Sequence, residues 1–251
     1  MIFEYLKKLA LDLLFPKRCI ECGEYGNFIC YECLRGFSFL EEQECPNCRR
    51  KKNQFGFFCN EQCHEGFYFD QLIVCSSYSK NLLIRKLITN FKYKFVKDLS
   101  FVLAEALRTQ FVYTSQFIPE FSKAILVPVP IHKKRLLYRG FHQTKLLTEN
   151  LLFYLKNDPD FENKFENVDS SDCLIRKKFL IGQAKLKRHE RLENLTGAIE
   201  FDKKFRDGIK NKFLILIDDV ATTCTTINEC SKVLKQFGAR HICGLVLARG
   251  Q

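Results

Sequence analysis

The stretch that decides the fold is residues 213–226, which read Phe-Leu-Ile-Leu-Ile-Asp-Asp-Val-Ala-Thr-Thr-Cys-Thr-Thr. Its first five residues are apolar, which is typical of a strand buried on both faces of a parallel sheet. A polar turn follows from Asp218 to Thr226, and Ile227 to Phe237 then have the pattern of a helix. His241 to Leu247 predict a second strand. This order of strand, loop, helix and strand predicts an α/β fold with a parallel sheet.

The polar turn has the composition of an anion site. Asp218 and Asp219 end a buried strand, where charge is costly unless a ligand compensates it. The next residues offer hydroxyl and backbone N–H groups at a helix N-terminus, which favours a phosphate. These candidates are Thr222, Thr223, Cys224, Thr225 and Thr226. Carboxylates for vicinal hydroxyls beside a phosphate loop suit a sugar phosphate, whereas the alternative is a helix that is simply capped by a threonine.

Charge is unevenly distributed along the 251 residues, whose net charge is +11. Residues 1–63 contain nine basic and nine acidic residues, and residues 64–251 contain 31 basic and 20 acidic ones. We therefore expect the second part of the chain to bind the anion. No apolar run reaches about 18 residues, so an integral membrane protein is not expected.

Eight of the thirteen cysteines form four close pairs near the N-terminus. The pairs are Cys19 and Cys22, Cys30 and Cys33, Cys45 and Cys48, and Cys59 and Cys63. Zinc binds four thiolates in a tetrahedron, and a short turn presents both sulfurs of a pair to one ion, so two structural zinc ions are predicted. We favour a sequential arrangement, in which the first two pairs bind one ion and the last two pairs bind the other, over an interleaved one. His64 and Cys75 are further candidate ligands, and unpaired buried cysteines are the alternative.

The remaining patterns predict two domains, at residues 1–66 and 67–251. The first contains a helix at residues 2–15, packed on its own domain or lying on a membrane surface, and the four cysteine pairs. Other predicted elements are strands at 72–74 and 123–130, helices at 80–90, 98–112 and 142–156, a surface loop at 157–172, and a mobile loop with a short helix at 174–200.

The motif at residues 214–226 resembles the loop that binds phosphoribosyl diphosphate (PRPP) in type I phosphoribosyltransferases. The resemblance implies a Rossmann-like sheet, with Asp218 and Asp219 on the ribose and Thr222 to Thr226 on the 5′-phosphate. This sequence departs from the family at Cys224, where the family has glycine. It also has Thr222 where purine-salvage members have an acidic residue near the base. The usual general base is therefore missing, and the catalytic residues are unknown.

Further motifs resemble one branch, the ComF competence family. Arg139-Gly-Phe-His-Gln matches the family's Arg-Gly-Phe-Asn-Gln, with His142 in the place of Asn. A second family pattern is matched by Arg176, Gln183, Leu186, Arg191, Asn194 and Gly197-Ala198. The cysteine pairs match the family's double zinc ribbon. The resemblance implies that Val129, Pro130, Ile131, Arg135 and Arg139 face the diphosphate, with Mg²⁺ as a companion ion.

The resemblance implies a cytosolic protein that handles incoming single-stranded DNA during natural transformation. Basic residues cluster at 85–97, 132–145 and 176–191. Among them lie rings that could stack on bases, namely Phe91, Tyr93, Phe95, Tyr138 and Phe141, although most of these rings could equally belong to the core. Candidate DNA contacts are Lys92, Lys94, Lys133, Lys134, Arg176, Lys187 and Arg188.

Two alternative functions remain open at this point. One is an active phosphoribosyltransferase on an unidentified acceptor. The other is a non-catalytic scaffold that docks a DNA-uptake helicase or an inner-membrane channel. The expected location is the cytoplasm, and peripheral attachment to the inner face of the cytoplasmic membrane is the alternative.

Overall fold

The computed structural model describes residues 16–50, 52–161, 163–178 and 197–250. The helix predicted at residues 2–15 and most of the predicted loop at 174–200 lie outside this part of the chain. The strands are β1 Gln43–Glu44, β2 Lys52–Asn53, β3 Gln71–Ser77, β4 Ile125–Pro128, β5 Asp169–Ser170, β6 Leu174–Arg176, β7 Ile199–Phe201, β8 Phe213–Ala221 and β9 His241–Arg249. The α-helices are α1 Tyr31–Arg35, α2 Glu61–His64, α3 Leu82–Tyr93, α4 Leu99–Ser115, α5 Lys133–Arg139, α6 Gln143–Lys156, α7 Arg206–Ile209 and α8 Thr225–Gln236.

Five of these strands form one sheet in the order β3, β9, β8, β4 and β5. Every pair in it is parallel, which confirms the predicted α/β class. The two central strands are apolar along most of their length because helices cover both faces of the sheet. Helices α3, α4 and α6 pack on one face, and α8 with the antiparallel pair β6 and β7 packs on the other. Among the described residues, no helix combines the length and apolar character that a membrane crossing requires.

The sheet's last strand, β5, lies where the sequence predicted only a surface loop, so that prediction was wrong. Its backbone pairs with β4, because the N–H of Asp169 donates to the carbonyl of Ala124 and the N–H of Ser171 donates to that of Leu126, at 3.2 and 2.9 Å. Both residues of β5 are exposed. A strand without buried side chains leaves no apolar signal in the sequence.

Strand β8 is longer than predicted and runs to Ala221, so the acidic pair lies inside the strand rather than in the turn. The reason is pairing with β9, which continues through Val220 opposite Ala248 and Ala221 opposite Arg249. Helix α8 accordingly begins at Thr225, two residues before the predicted start.

Helix α5 was not predicted, because none of its residues is buried and no apolar period marks it. His132 caps its start by accepting a hydrogen bond from the N–H of Lys134 at 3.1 Å. Gly140 ends it in the left-handed conformation, with φ of 72°. The family motif that begins at Arg139 therefore spans the joint between α5 and α6.

Candidate functional site

The predicted ligand-binding segments meet at the carboxyl edge of the sheet. Strands β4 and β8 are parallel neighbours, and the N–H of Val129 donates to the carbonyl of Ile217 at 3.0 Å. The turn from Val129 to Ile131 therefore lies beside the acidic pair and residues 222–226, which we call the phosphate loop. Ligands of open α/β sheets bind at this edge.

The acidic pair is already engaged by a lysine from α3. The Nζ atom of Lys92 lies 2.7 Å from Oδ1 of Asp219, and the two side chains are only 17% and 10% exposed. Lys92 was predicted to contact DNA, but the structure brings it to the acidic pair instead. A half-buried ion pair of this kind fixes the position of the carboxylate that faces the site.

Asp218 is a weaker acid than an ordinary aspartate. Burial raises the pKa of Asp218 to about 7, the charge of Asp219 adds to that shift, and the charges of Lys92 and Arg176 oppose it. Oδ1 of Asp218 accepts a hydrogen bond from the N–H of Asp219 at 2.8 Å. The pair therefore changes charge near physiological pH, which distinguishes it from two ordinary surface carboxylates.

We predict that Asp218→Asn raises the melting temperature more at pH 8 than at pH 5. The folded-state pKa of Asp218 lies above its ordinary value of 3.8, so the stability that its protonated form contributes is lost as pH rises toward 7. Asparagine removes that loss because it never ionises. Thermal melting across this pH range measures the effect, with the exposed Asp207→Asn as the control. An equal shift at both pH values would contradict the prediction.

The phosphate loop turns sharply at Cys224. This residue is buried and left-handed, with φ of 59°, where the family has glycine. A side chain in this conformation costs about 1–2 kcal/mol. The hydroxyls of Thr223 and Thr225 lie 2.6 Å apart, and Thr222 is exposed. The loop thus has the glycine-type turn that its resemblance implies, although a cysteine makes it.

Two arginines interact electrostatically with the acidic pair, and a third, Arg135, interacts with both of these arginines. Burial lowers the pKa of Arg139, and the charge of Asp219 opposes that shift. Burial likewise lowers the pKa of Arg176. The charge of Arg135 lowers this pKa further, and the charge of Asp218 opposes the shift. Arg135 and Arg139 were predicted at the diphosphate, whereas Arg176 was predicted on DNA and lies instead near Asp218. The carboxylates and the cations together form a site that can hold a ligand with both hydroxyl and anionic groups.

His142 explains a departure from the family motif. Its Nδ1 accepts the N–H of Lys145 at 3.2 Å and so caps α6. Burial lowers the pKa of His142 to about 4, so the ring is neutral at physiological pH and can accept this bond. Asparagine, the family residue, is also a strong helix cap. The substitution therefore preserves the cap.

The eight paired cysteines form two groups of four. Within each group the sulfur atoms lie within 4.8 Å of one another. The Sγ atoms of Cys22 and Cys30 are 3.6 Å apart, and those of Cys48 and Cys59 are 3.7 Å apart. Sulfurs at the corners of a tetrahedron with zinc bonds of about 2.3 Å would be about 3.8 Å apart, so both groups fit a structural zinc ion.

The grouping is sequential, as the sequence favoured. We call Cys19, Cys22, Cys30 and Cys33 zinc module I, and Cys45, Cys48, Cys59 and Cys63 zinc module II. The other two candidate ligands lie outside both groups. His64 contacts the carbonyl of Phe69 through Nε2 at 3.0 Å, and the thiol of Cys75 contacts the carbonyl of Ala106 at 3.5 Å within the core.

The predicted base-stacking rings separate into two sets. Phe91 and Phe141 are buried core residues, which is the alternative that the sequence left open for these rings. Tyr93, Phe95 and Tyr138 are exposed and lie close together, with the rings of Phe95 and Tyr138 5.5 Å apart. We call these three rings, with the exposed Lys94, Lys133 and Lys134, the α5 surface. Lys187 and Arg188 lie outside the described residues.

Sequence reasoning missed two groups at this edge. Arg49 follows zinc module II's first cysteine pair and donates to the carbonyl of Thr222 at 2.6 Å. Gln143 is buried, its Oε1 accepts a hydrogen bond from Arg139, and its Nε2 has no partner among the described residues. The Arg-Gly-Phe-His-Gln motif pointed to Gln143, but no local pattern marks Arg49.

Comparison with known proteins agrees with the motifs. No protein-family model matches the chain. Competence protein F of Haemophilus influenzae is 27% identical over 252 residues, covering 94% of this chain and 98% of that protein. Competence protein ComFC of Bacillus subtilis is 24% identical and covers 84% of this chain and 79% of its own length. DNA utilization protein YhgH of Escherichia coli K12 is 23% identical over 92% of this chain and 96% of its own. The chain is thus similar over most of its length to the ComF competence proteins, which confirms the resemblance that its motifs predicted.

Proposed function

We propose that this chain acts in DNA uptake or utilisation by binding single-stranded DNA beside a PRPP-type site. The relatives support the general role, since they are named for competence and for DNA utilization. The observation that carries the finer proposal is the acidic pair and the phosphate loop at the carboxyl edge, close to an exposed surface of rings and lysines. Such a surface suits a strand whose bases are unpaired.

PRPP would bind at the carboxyl edge of the sheet in one orientation. The phosphate loop would hold the 5′-phosphate with backbone N–H groups at the start of α8. Asp218 and Asp219 would face the ribose hydroxyls, while the turn at Val129 to Ile131 and the arginines would face the diphosphate. Mg²⁺ would accompany the diphosphate as part of the same proposal. Because Lys92 pairs with Asp219, a ribose hydroxyl must share or replace this contact.

DNA would lie across the α5 surface. Tyr93 is 60% exposed and Tyr138 is 70% exposed, so each presents a ring face on which a base can stack. Stacking is worth about 1–3 kcal/mol per base and needs little sequence preference. The guanidinium of Arg139 lies 5.8 Å from the ring centre of Tyr93. The α5 surface therefore adjoins the proposed diphosphate region through this arginine.

We predict that single-stranded DNA binds this chain with a steep dependence on salt. Neutralising two phosphate contacts by Lys133→Gln with Lys134→Gln should flatten the log–log slope by about 1.4, since each contact contributes about 0.7. Tyr138→Ala should weaken binding about tenfold or more while leaving the slope unchanged, because stacking releases no counterions. Fluorescence anisotropy at several salt concentrations measures both quantities.

The matched control is Lys203→Gln with Lys204→Gln, a second exposed pair that precedes β8. This pair should leave the affinity and the slope nearly unchanged. Equal effects of the two lysine pairs would show that binding is a general consequence of net charge. Unlabelled PRPP should compete with DNA if the strand reaches Arg139, and independent binding would place the two ligands apart.

A further inference from the structure

Zinc module II touches the start of the phosphate loop through Arg49. This residue directly follows Cys48 and is left-handed, with φ of 57°. Its Nη2 donates to the carbonyl of Thr222 at 2.6 Å, and its Nη1 donates to the carbonyl of Gly250 at 2.9 Å. One guanidinium therefore joins the cysteine turn, the phosphate loop and the residue after β9. Hydrogen bonds from charged donors are stronger than neutral ones.

A reciprocal set of contacts holds the cysteine turn against the sheet. Arg249, which is buried, donates to the carbonyls of Cys45 and Pro46. The N–H of Gly250 donates to the carbonyl of Ala221 at 2.9 Å. A Cβ atom on Gly250 would lie only 2.9 Å from Cγ2 of Thr222, so the glycine permits this close approach. The module, the end of β9 and the phosphate loop thus form one packed unit.

The segment that follows module II contacts the helix after the phosphate loop. Oδ1 of Asn228, in the first turns of α8, accepts the N–H of Tyr68 at 2.7 Å. Nδ2 of Asn228 donates to the carbonyl of Gly66 at 3.0 Å. Gly66 and Tyr68 come shortly after Cys63, the last ligand of module II. The phosphate loop is therefore held on both sides by segments next to module II.

Zinc module I makes different contacts. Lys17 beside it pairs with Asp98 at the start of α4, at 2.9 Å. Glu21 within it pairs with Lys86 of α3, at 3.0 Å. Glu32, between Cys30 and Cys33, pairs only locally with Arg35 of α1. Among the described residues, the ion pairs that join module I to the rest of the fold therefore lie on α3 and α4 and not on the phosphate loop. The two modules are chemically alike, but they are attached to different parts of the fold.

We propose that zinc module II positions the phosphate loop, with Arg49 as the positioning residue, whereas module I does not. Zinc would fix the turn from Cys45 to Cys48 and thereby the direction in which Arg49 leaves it. Arg49 would then hold the carbonyl of Thr222, so that the N–H groups of the loop face the phosphate of the ligand. The identity of that ligand rests on the proposed function, but the positioning itself does not.

The test compares Arg49→Ala with Arg50→Ala, since Arg50 is an exposed neighbour. Hydrogen exchange of the Arg49 variant should become at least tenfold faster at the N–H of Asn228, which donates to the loop carbonyl of Cys224 at 2.8 Å, while the β8 core at residues 214–217 stays protected. Calorimetry should show PRPP bound about tenfold more weakly. Elemental analysis should still find two zinc ions per chain. The Arg50 variant should match the parent in all three measurements.

Unchanged exchange at the N–H of Asn228 in a folded Arg49 variant would overturn the proposal. If the parent does not bind PRPP, the proposed ligand is wrong. The exchange result still decides whether Arg49 positions the phosphate loop. If the Arg49 variant loses zinc or fails to fold, Gly250→Ala replaces it, because its added Cβ presses on Thr222 without altering the module. Faster exchange at the N–H of Asn228 in that variant supports the proposal, and exchange at the parent rate overturns it.

Discussion

Replacing Asp218 and Asp219 together by asparagine is expected to weaken PRPP binding at least a hundredfold. Both carboxylates lie at the carboxyl edge, and we propose that they accept the ribose hydroxyls. At pH 8, above the pKa of about 7 that burial gives Asp218, both acceptors are charged. Charged acceptors contribute about 1.5–3 kcal/mol per hydrogen bond, so the loss of two corresponds to roughly a hundredfold or more. Isothermal titration calorimetry on folded protein measures this change.

Circular dichroism must first show that the double variant is folded, because Asp219→Asn leaves the half-buried Lys92 without its carboxylate. Asp207→Asn is the matched control and should bind as the parent does. Unchanged affinity in a folded double variant would mean that residues 222–226 only cap α8. Release of diphosphate by the parent with a candidate base would instead support the transferase alternative.

The second large effect is expected from zinc module II. Cys48→Ser should lower the zinc content from two ions to one and leave a chain that aggregates or is rapidly cleaved by protease. A structural zinc ion contributes about 10–16 kcal/mol to the folding of small zinc domains. Whole domains are stable by only about 5–15 kcal/mol. Elemental analysis and limited proteolysis measure the two outcomes.

The control is Cys173→Ala, because Cys173 is buried and lies outside both cysteine groups. It should retain two zinc ions and cost only the stability of a small cavity. A parent protein with one zinc ion or none would contradict the two-site prediction. A Cys48 variant that keeps both ions would show that three thiolates suffice in module II.

Local patterns predicted the class of the fold and the grouping of the cysteines. The apolar run from Phe213 to Ile217 can be buried on both faces only in a covered sheet, and it became the central strand β8. The close spacing of the cysteine pairs makes each pair a unit, so sequential groups require the shortest connections. The glycine-like turn at Cys224 was also visible, because the family residue at that position indicates a left-handed backbone.

Long-range contacts were not predictable in the same way. Lys92 appears in the sequence as one basic residue among five, and only the packing of α3 brings it to Asp219. The bond from Arg49 to Thr222 spans 173 residues. Pairing through the backbone, as in β5, leaves no pattern in the side chains. Contacts of these kinds depend on the finished fold rather than on any local preference.

The place of β3 in the sheet has a consequence for synthesis on the ribosome. In the described sheet its neighbour is β9, and Leu72 lies opposite Gly244. At a translation rate of about 5–20 residues per second, this partner emerges roughly 10–30 s after β3. Until then the edge of β3 is open, and Arg49 has no loop to hold. The cysteine turns could capture zinc during that interval, so metal loading would precede docking of the module. The described sheet would therefore be complete only after β9 has emerged.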